Sequence, residues 1–337
     1  MNKPRYCLEC WGGEYHRIRD TCLLAEKLGY YGFFYGESLT NLDFDCWTVI
    51  SSLISLTKII KLGPVITYIN PEYRSLALLA KQSITFQDIS AGRLEFRTGA
   101  GAASKYSISW WNPYGINYPN AGVRLTMLEE GISLFRKLIG KTDSIDKSNG
   151  SSSGFARSND KKNGDYGNPV YHDGEYFKTN GAIMTKPILD IPITIAAKSK
   201  RMLQIAAKYS DIWESSYMSP TQFSSMNLKF HKVFQTTGNT VSSVFKNASG
   251  PHPKKSIELE VLIAESEKEL QKKKAVLEKE RGTEAYNQIL GRGLIGICDE
   301  IHSLVSKYVD LGVEQFLLAF QDPFDVESIE LFMKSVK

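Results

Sequence analysis

The sequence is poor in the residues that mark metal-dependent and hydrolytic chemistry. It has five histidines (His16, His172, His231, His252, His302), and no two stand at metal-ligand spacing. HExxH, Walker and GxSxG motifs are all missing, which removes the motif-defined zinc peptidases, P-loop enzymes and serine hydrolases. The five cysteines (Cys7, Cys10, Cys22, Cys46, Cys298) are odd in number and scattered, too sparse for a disulfide framework. Cys7-Leu8-Glu9-Cys10 is a CxxC, but no second ligand pair completes a zinc site, and its residues read as a strand rather than the helix start of a redox dithiol. Reduced thiols packed in a barrel wall are expected. No apolar run approaches the roughly 20 residues that span a bilayer, and the start Met1-Asn2-Lys3-Pro4-Arg5-Tyr6 leads to Glu9 and Glu14 instead of a signal core. The net charge is +4, from 41 Lys plus Arg and 37 Asp plus Glu, too weak over 337 residues to announce nucleic acid or an anionic membrane. These absences point to a soluble cytoplasmic protein that binds neither.

What is present is alternation of short apolar runs with amphipathic helical stretches, the grammar of parallel strands joined by crossover helices. Strands are expected at 6–10, 31–35, 60–66, 94–98, 191–196, 211–215, 257–263 and 315–320. An early helix carries Ile18, Cys22, Ala25 and Leu28 on one face and stops at Gly29, where a residue without Cβ suits a left-handed cap. A late helix with Ile301, Leu304, Val305, Tyr308 and Leu311 stops likewise at Gly312. Further helices fit 46–58, 73–89, 122–139, 199–209, 220–236, 265–288 and 325–335. Eight strands, each trailed by a helix, predict a single (β/α)8 TIM barrel over residues 1–337. The rival, an open doubly wound sheet, wants a glycine-rich turn after the first strand, and none is there. Two segments fall outside the pattern. Residues 141–175 are rich in Ser, Asn, Gly and Lys, too polar to offset their chain entropy, and read as a flexible insertion after the fourth helix. The helical excursion after the seventh strand, with Glu265 to Lys274, reads as a solvated face of i,i+4 pairs.

A barrel of this kind places its chemistry at the C-terminal tips of its strands. Two tips stand out. Gly99-Ala100-Gly101-Ala102-Ala103 is a run of small residues that would admit a flat ligand close to the backbone; an ordinary tight turn is the other reading. Lys198-Ser199-Lys200-Arg201 opens a helix, where unpaired N–H groups and the dipole favour an anion such as phosphate; solvated lysines are the other reading. In the strand Leu94-Glu95-Phe96-Arg97-Thr98 the alternation puts Glu95 and Arg97 inside the barrel. Buried charges must be paired, so an ion-pair network reaching Glu258 or Glu260 is expected. The lack of hydrolytic and metal signatures favours chemistry carried by an organic cofactor.

The chain resembles the bacterial luciferase-like flavin-dependent monooxygenases and their deazaflavin-dependent relatives. The resemblance runs through Ile59 to Thr67, Asn70-Pro71, Leu79-Ala80-Lys81, Ile89 to Leu94, Gly99-Ala100-Gly101, Tyr114-Gly115 and Arg124-Leu125. It continues at Gly174-Glu175-Tyr176-Phe177, Lys186-Pro187, Ile191 to Ala196, Ala206-Ala207, Asp211-Ile212-Trp213, Gly296 to Ile301 and Gly312-Val313. It implies the same barrel, with a flavin across the mouth held by Ser38, Ile66, Thr67, Gly99, Ala100, Gly101 and Ala197, and its phosphate near Lys198, Ser199 and Lys200. It also implies a non-prolyl cis peptide in the third strand, expected at Ile66-Thr67. Glu37, at the second tip, becomes the catalytic candidate, or else a strand cap. Many relatives carry a histidine next; here it is Ser38, which weakens the case for light emission. The leading expectation is a monooxygenase using reduced FMN and O₂ on a small organic substrate, with a separate flavin reductase and a homodimer as possible partners. The alternatives are hydride transfer with coenzyme F-420 and a non-catalytic flavin-binding protein. Trp110, Trp111 and Tyr114, in the 102–121 loop, are candidates for the lining of an apolar pocket.

Overall fold

The computed structural model describes residues 3–39, 44–141, 166–241 and 252–337. Its strands are β1 (Arg5–Cys10), β2 (Gly32–Gly36), β3 (Lys61–Val65), β4 (Phe96–Thr98), β5 (Val170–Asp173), β6 (Lys178–Ala182), β7 (Ile193–Ala196), β8 (Ile212–Ser216), β9 (Lys254–Ala264), β10 (Leu294–Ile297) and β11 (Gln315–Phe320). Eight of them lie side by side and parallel in the order β3-β2-β1-β11-β9-β8-β7-β4. The bridges Leu62–Leu94 and Thr67–Thr98 bring β4 back to β3. The ring therefore closes as a (β/α)8 barrel, and each expected strand occupies its expected place.

Alternation along the strands divides the core in two. Leu8, Phe33, Leu62, Phe96, Ile195, Trp213, Leu259 and Phe316 point outward into one large apolar cluster under the helices. Cys7, Phe34, Val65 and Leu317 point inward and form a small separate plug. Cys7 and Cys10 thus face opposite sides of the wall and cannot share a metal; all five cysteines are free thiols. At Gly63 the barrel is too tight for a side chain, because a Cβ would stand 2.1 Å from the Glu95 carbonyl oxygen.

The helices are α1 (Tyr15–Leu28), α2 (Cys46–Leu53), α3 (Leu76–Ile89), α4 (Ser104–Trp111), α5 (Ala121–Leu138), α6 (Lys200–Tyr209), α7 (Pro220–Val241), α8 (Glu267–Arg281), α9 (Thr283–Arg292), α10 (Cys298–Asp310) and α11 (Val326–Ser335). Asp45, Ser75, Asn120, Ser199, Ser266 and Asp325 cap their helices by accepting a backbone N–H, each worth about 1 kcal/mol. No helix among the described residues is long and apolar enough to cross a membrane.

Four features depart from expectation. Helix α4 forms inside the stretch 102–121 that the sequence predicts as a loop. The stretch 265–288 is two helices, broken at Gly282 with φ +79°. β10 pairs in parallel with the overhanging end of β9, Val261 to Ala264, outside the ring. With Leu262, Leu270, Leu277 and Ile289 it gives this excursion a small core of its own. Of the expected insertion, residues 142–165 lie outside the described residues. Its last part is ordered: β5 and β6 form an antiparallel hairpin, and His172 sits 3.3 Å from Glu130. His252 is exposed.

Candidate active site in the barrel mouth

The barrel interior holds two layers of charge, and among the described residues only one of them contains a cation. In the lower layer Arg97, with no exposed surface, donates Nη1 to Glu95 at 2.5 Å and Nη2 to Glu214. Glu95 also accepts from Thr194 and Gln315, both at 2.9 Å, and Glu214 from Ser256 at 2.8 Å. The guanidinium lies 4.6 Å from the centre of the Phe34 ring. The expected interior network exists, but its carboxylates are Glu95 and Glu214. Glu260 turns away to Arg292, 3.3 Å from its Nε. Glu258 lies one inward position above Ser256 on β9, too high to bond Arg97 directly.

The upper layer is built from Glu9 on β1 and Glu258 on β9, whose carboxyl groups lie close enough to act on each other directly. Trp11 Nε1 donates to Glu9 Oε1 at 2.5 Å, and the Tyr217 backbone N–H donates to the Glu258 carbonyl at 2.9 Å. Glu9 Oε2 has no hydrogen-bond partner. Four carboxyl groups (Glu9, Glu95, Glu214, Glu258) thus surround one guanidinium. They cannot all be ionised in a medium that screens charge poorly. Burial, and then the neighbouring carboxylates Glu9 and Glu214, raise Glu258 well above the usual carboxylate range. Burial lifts Glu9 to about 7, against the Trp11 hydrogen bond. Burial and mutual repulsion thus favour a proton held by this pair as a unit.

Around the mouth the expected site residues take varied positions. Glu37, 1% exposed, accepts from Tyr73 Oη at 3.1 Å and from Arg74 Nη2. Burial raises its proton affinity, while Arg74, Thr67 and Tyr73 oppose that. Its ion pair with Arg74 leaves it poorly suited to proton transfer. Ser38 is half-buried beside it. Thr67 accepts from Trp47 Nε1 at 3.3 Å and takes part in the Glu37 cluster. The non-prolyl cis bond is present one residue earlier than expected, at Val65–Ile66. Gly99 and Gly101 are small for the sake of the protein's own side chains. A Cβ would stand 3.0 Å from Ile66 Cδ1 at the first and 2.4 Å from the Tyr118 hydroxyl at the second. Ala100 lines a pocket with Tyr68, Trp111, Tyr118, Arg124 and Met127. Of the three aromatic candidates only Trp111 is buried; Trp110 and Tyr114 are exposed. Across the mouth, Ala197 is buried, while Lys198, Ser199 and Lys200 are exposed at the start of α6. Lys198 reaches the Ser216 carbonyl at 3.4 Å and lies in the field of Glu258 and Arg292.

A polar ring system would meet complementary groups here. Glu9 Oε2, Glu37 Oε2, Arg74 Nη1 and Trp111 Nε1 are buried, have no hydrogen-bond partner, and all lie at the strand tips or the loops that follow them. Among the described residues no group of three His, Cys, Asp or Glu could hold a metal ion. Sequence reading passed over Glu9 because it sat inside a CxxC, and over Tyr217 because no pattern marks it. The inward phase of β1 was the available signal for Glu9.

The description "luciferase-like monooxygenase" belongs to a family that matches this chain over residues 9–292. The chain is 28% identical over 201 residues to the 5,10-methylenetetrahydromethanopterin reductase of Archaeoglobus fulgidus, covering 59% of this chain and 48% of that one. It spans about half the length of the curated relatives it matches. Among solved structures, an F-420-dependent secondary alcohol dehydrogenase superposes with a TM-score of 0.74 at 16% identity, covering 100% of both chains. The EDTA monooxygenase of a Chelativorans species also gives 0.74, at 14% identity over 99% of this chain and 93% of that one. At these identities the structural likeness shows the fold alone.

Proposed function

Because this chain belongs to the luciferase-like monooxygenase family of oxidoreductases, we propose that it transfers hydride between a deazaflavin of the coenzyme F-420 type and a small organic substrate. The observation that carries this reading is the meeting of two carboxyl groups, Glu9 and Glu258, in the barrel mouth, where burial favours their protonated forms. The sequence similarity to a methylenetetrahydromethanopterin reductase points the same way.

When bound, the coenzyme would supply the hydride, delivered to an electrophilic carbon of the substrate. The chain's own residues supply the rest. Reduction of a C=N or C=O bond leaves a heteroatom that needs one proton, and Glu9, near neutrality in its proton affinity, suits general acid catalysis at that atom. Its O–H bond breaks, the substrate's N–H or O–H bond forms, and Glu258, beside it, replenishes the proton. Trp11 fixes the Glu9 carboxyl through Oε1 and packs over Gly36, where a Cβ would overlap its ring. Ser38, Ile66, Thr67, Gly99, Ala100, Gly101 and Ala197 would border the ring. Lys198, Ser199 and Lys200 would hold its phosphate at the α6 N-terminus. Glu37 serves in this reading as a structural anion, bound to Arg74, rather than as the acid.

A second reading, reduced FMN with O₂, is favoured by the family's description and by the monooxygenase fold neighbour; it would need a separate flavin reductase. The two separate in one experiment. The full chain is titrated with coenzyme F-420 and with FMN, each oxidised and reduced, while oxygen uptake is followed. Saturable F-420 binding with no uptake from reduced FMN is expected. Oxygen uptake stoichiometric with reduced FMN, without F-420 binding, would overturn the proposal in favour of the second reading. Failure to bind either would remove both.

A further inference from the structure

Trp11 continues the inward phase of β1 two residues beyond Glu9, so the two side chains share a face, and the indole N–H meets Glu9 Oε1 at 2.5 Å. The indole is held from two sides. The register that sets Cys10 beside Tyr35 places Gly36 next to Trp11, and the ring lies where a Cβ of residue 36 would be. Past the indole the chain turns through Gly12 and Gly13, with φ of +64° and +89°. Gly13 sits against the Phe324 ring, again where a Cβ would fall. Phe324, in the loop after β11, is itself covered by the Arg17 guanidinium, 4.4 Å from its centre, and Arg17 pairs with Asp322 at 3.7 Å. Tyr35 Oη donates to the Gly12 carbonyl at 3.4 Å. The tips of β1, β2 and β11 thus fix one ring that stays 39% exposed in the mouth.

We propose that Trp11 is the positioning residue of the acid and decides which oxygen carries its proton. The indole N–H occupies Glu9 Oε1, the transferable proton sits on Oε2, and Gly36 keeps this arrangement by leaving the space the indole fills. A proton on Oε1 would compete with the indole hydrogen for the same oxygen; Oε2 has no hydrogen-bond partner. The protonated carboxyl therefore turns its carbonyl oxygen to Trp11 and keeps its O–H free for a substrate atom. The charged and titratable groups around Glu9 are Arg97 from β4, Glu214 from β8, Tyr217 after β8 and Glu258 from β9. Tyr217 holds its place in the left-handed region, φ +54°, with the Arg292 guanidinium 5.0 Å from its ring centre. Among the described residues Trp11 is the one group that donates a hydrogen bond to the Glu9 carboxyl, so its removal has a distinct sign. Losing a donor that stabilises the anion raises the carboxyl's proton affinity. The inference rests on the reading of Glu9 as the acid, but its readouts, the carboxyl and the indole, need no coenzyme.

The test is a pH titration of the full chain with ¹⁵N-labelled tryptophan and ¹³C-labelled glutamate side chains, read by NMR. The Trp11 indole signal is assigned by its loss in Trp11→Phe, and the Glu9 signal by its loss in Glu9→Gln. In the wild type the two signals are expected to move together at one midpoint, and in Glu9→Gln the indole signal is expected to lose that step. Below the midpoint the indole hydrogen stays protected from solvent exchange, as a proton on Oε2 requires; free exchange there would overturn the assignment of the proton. In Trp11→Phe the Glu9 step is expected to move upward by roughly one pH unit, while circular dichroism and the melting temperature stay near wild type. Gly36→Ala keeps the tryptophan but fills its space, and is expected to move the Glu9 step in the same direction. An indole signal that ignores the Glu9 titration, or a folded Trp11→Phe chain whose profile overlays the wild type, would overturn the proposal. A folded Gly36→Ala chain with an unmoved Glu9 step would overturn the part assigned to Gly36. Because both readouts are taken on the chain alone, a failed coenzyme titration would remove the proposed function and leave this result standing.

Discussion

The two charged layers of the barrel use the same residue type for opposite ends. Below, Glu95 and Glu214 grip a fully buried guanidinium, and each carboxylate takes further donors from Thr194, Gln315 or Ser256. Above, Glu9 and Glu258 meet with no cation among the described residues bonded to either, and one indole N–H holds Glu9. A glutamate opposite an arginine becomes a structural anion; a glutamate opposite another glutamate must keep a proton. What decides between them is one inward position along β9, which exchanges Ser256 for Glu258.

That contrast can be broken from either side. The largest effect is expected from Arg97→Met, which leaves Glu95 and Glu214 buried without their cation. Removing one partner of a buried pair costs about 3–5 kcal/mol, and chemical denaturation of the variant is expected to show a loss of that order, or no folded protein. Glu9→Gln is expected to leave folding intact and to reduce hydride transfer with coenzyme F-420 by about 100-fold or more, measured under single-turnover conditions. Retained turnover would return the acid's role to another group.

The pH dependence of stability sharpens the comparison further. The folded-state proton affinity of Glu9 is raised from an ordinary 4.5 to about 7, so the folded chain binds more protons than the unfolded chain between these values. Stability from this group is fully present below about pH 4.5 and is lost as the pH rises through 7. Denaturant midpoints taken from pH 5 to 8 are expected to fall for the wild type and to fall less for Glu9→Gln. Parallel curves would contradict the assignment. The smallest effect belongs to Tyr217→Gly, which relieves the left-handed backbone and is expected to return about 1 kcal/mol, set against the lost ring contact with Arg292. A net change within about 1 kcal/mol of wild type is predicted, read by thermal melting.

Much of the fold could be read from sequence for a simple reason. Parallel strands buried on both faces are near-continuous apolar runs, and Tyr31 to Tyr35, Ile191 to Ala196 and Gln315 to Phe320 announce themselves. Helix α4 did not: Ser104-Lys105-Tyr106-Ser107-Ile108-Ser109-Trp110-Trp111 has weak helix formers and no side-chain cap, and it owes its place to Trp111 packing between Tyr68 and Tyr73. Gly282 was visible as a break but was read through. The interior network was foreseen from the alternation of Glu95 and Arg97, yet its partner was misplaced, because which inward residues meet across a barrel depends on strand stagger that spacing cannot supply. The same limit hid the carboxyl pair, which joins residues 9 and 258 across an intervening strand.

The account rests on a proton held between Glu9 and Glu258, and infrared spectroscopy reads it directly. A protonated-carboxyl stretch should be present in the wild-type chain at pH 7.5, shift in Glu9→Gln, and vanish in Glu258→Gln. A spectrum at that pH with no protonated carboxyl, or with a band that Glu258→Gln leaves untouched, would contradict it.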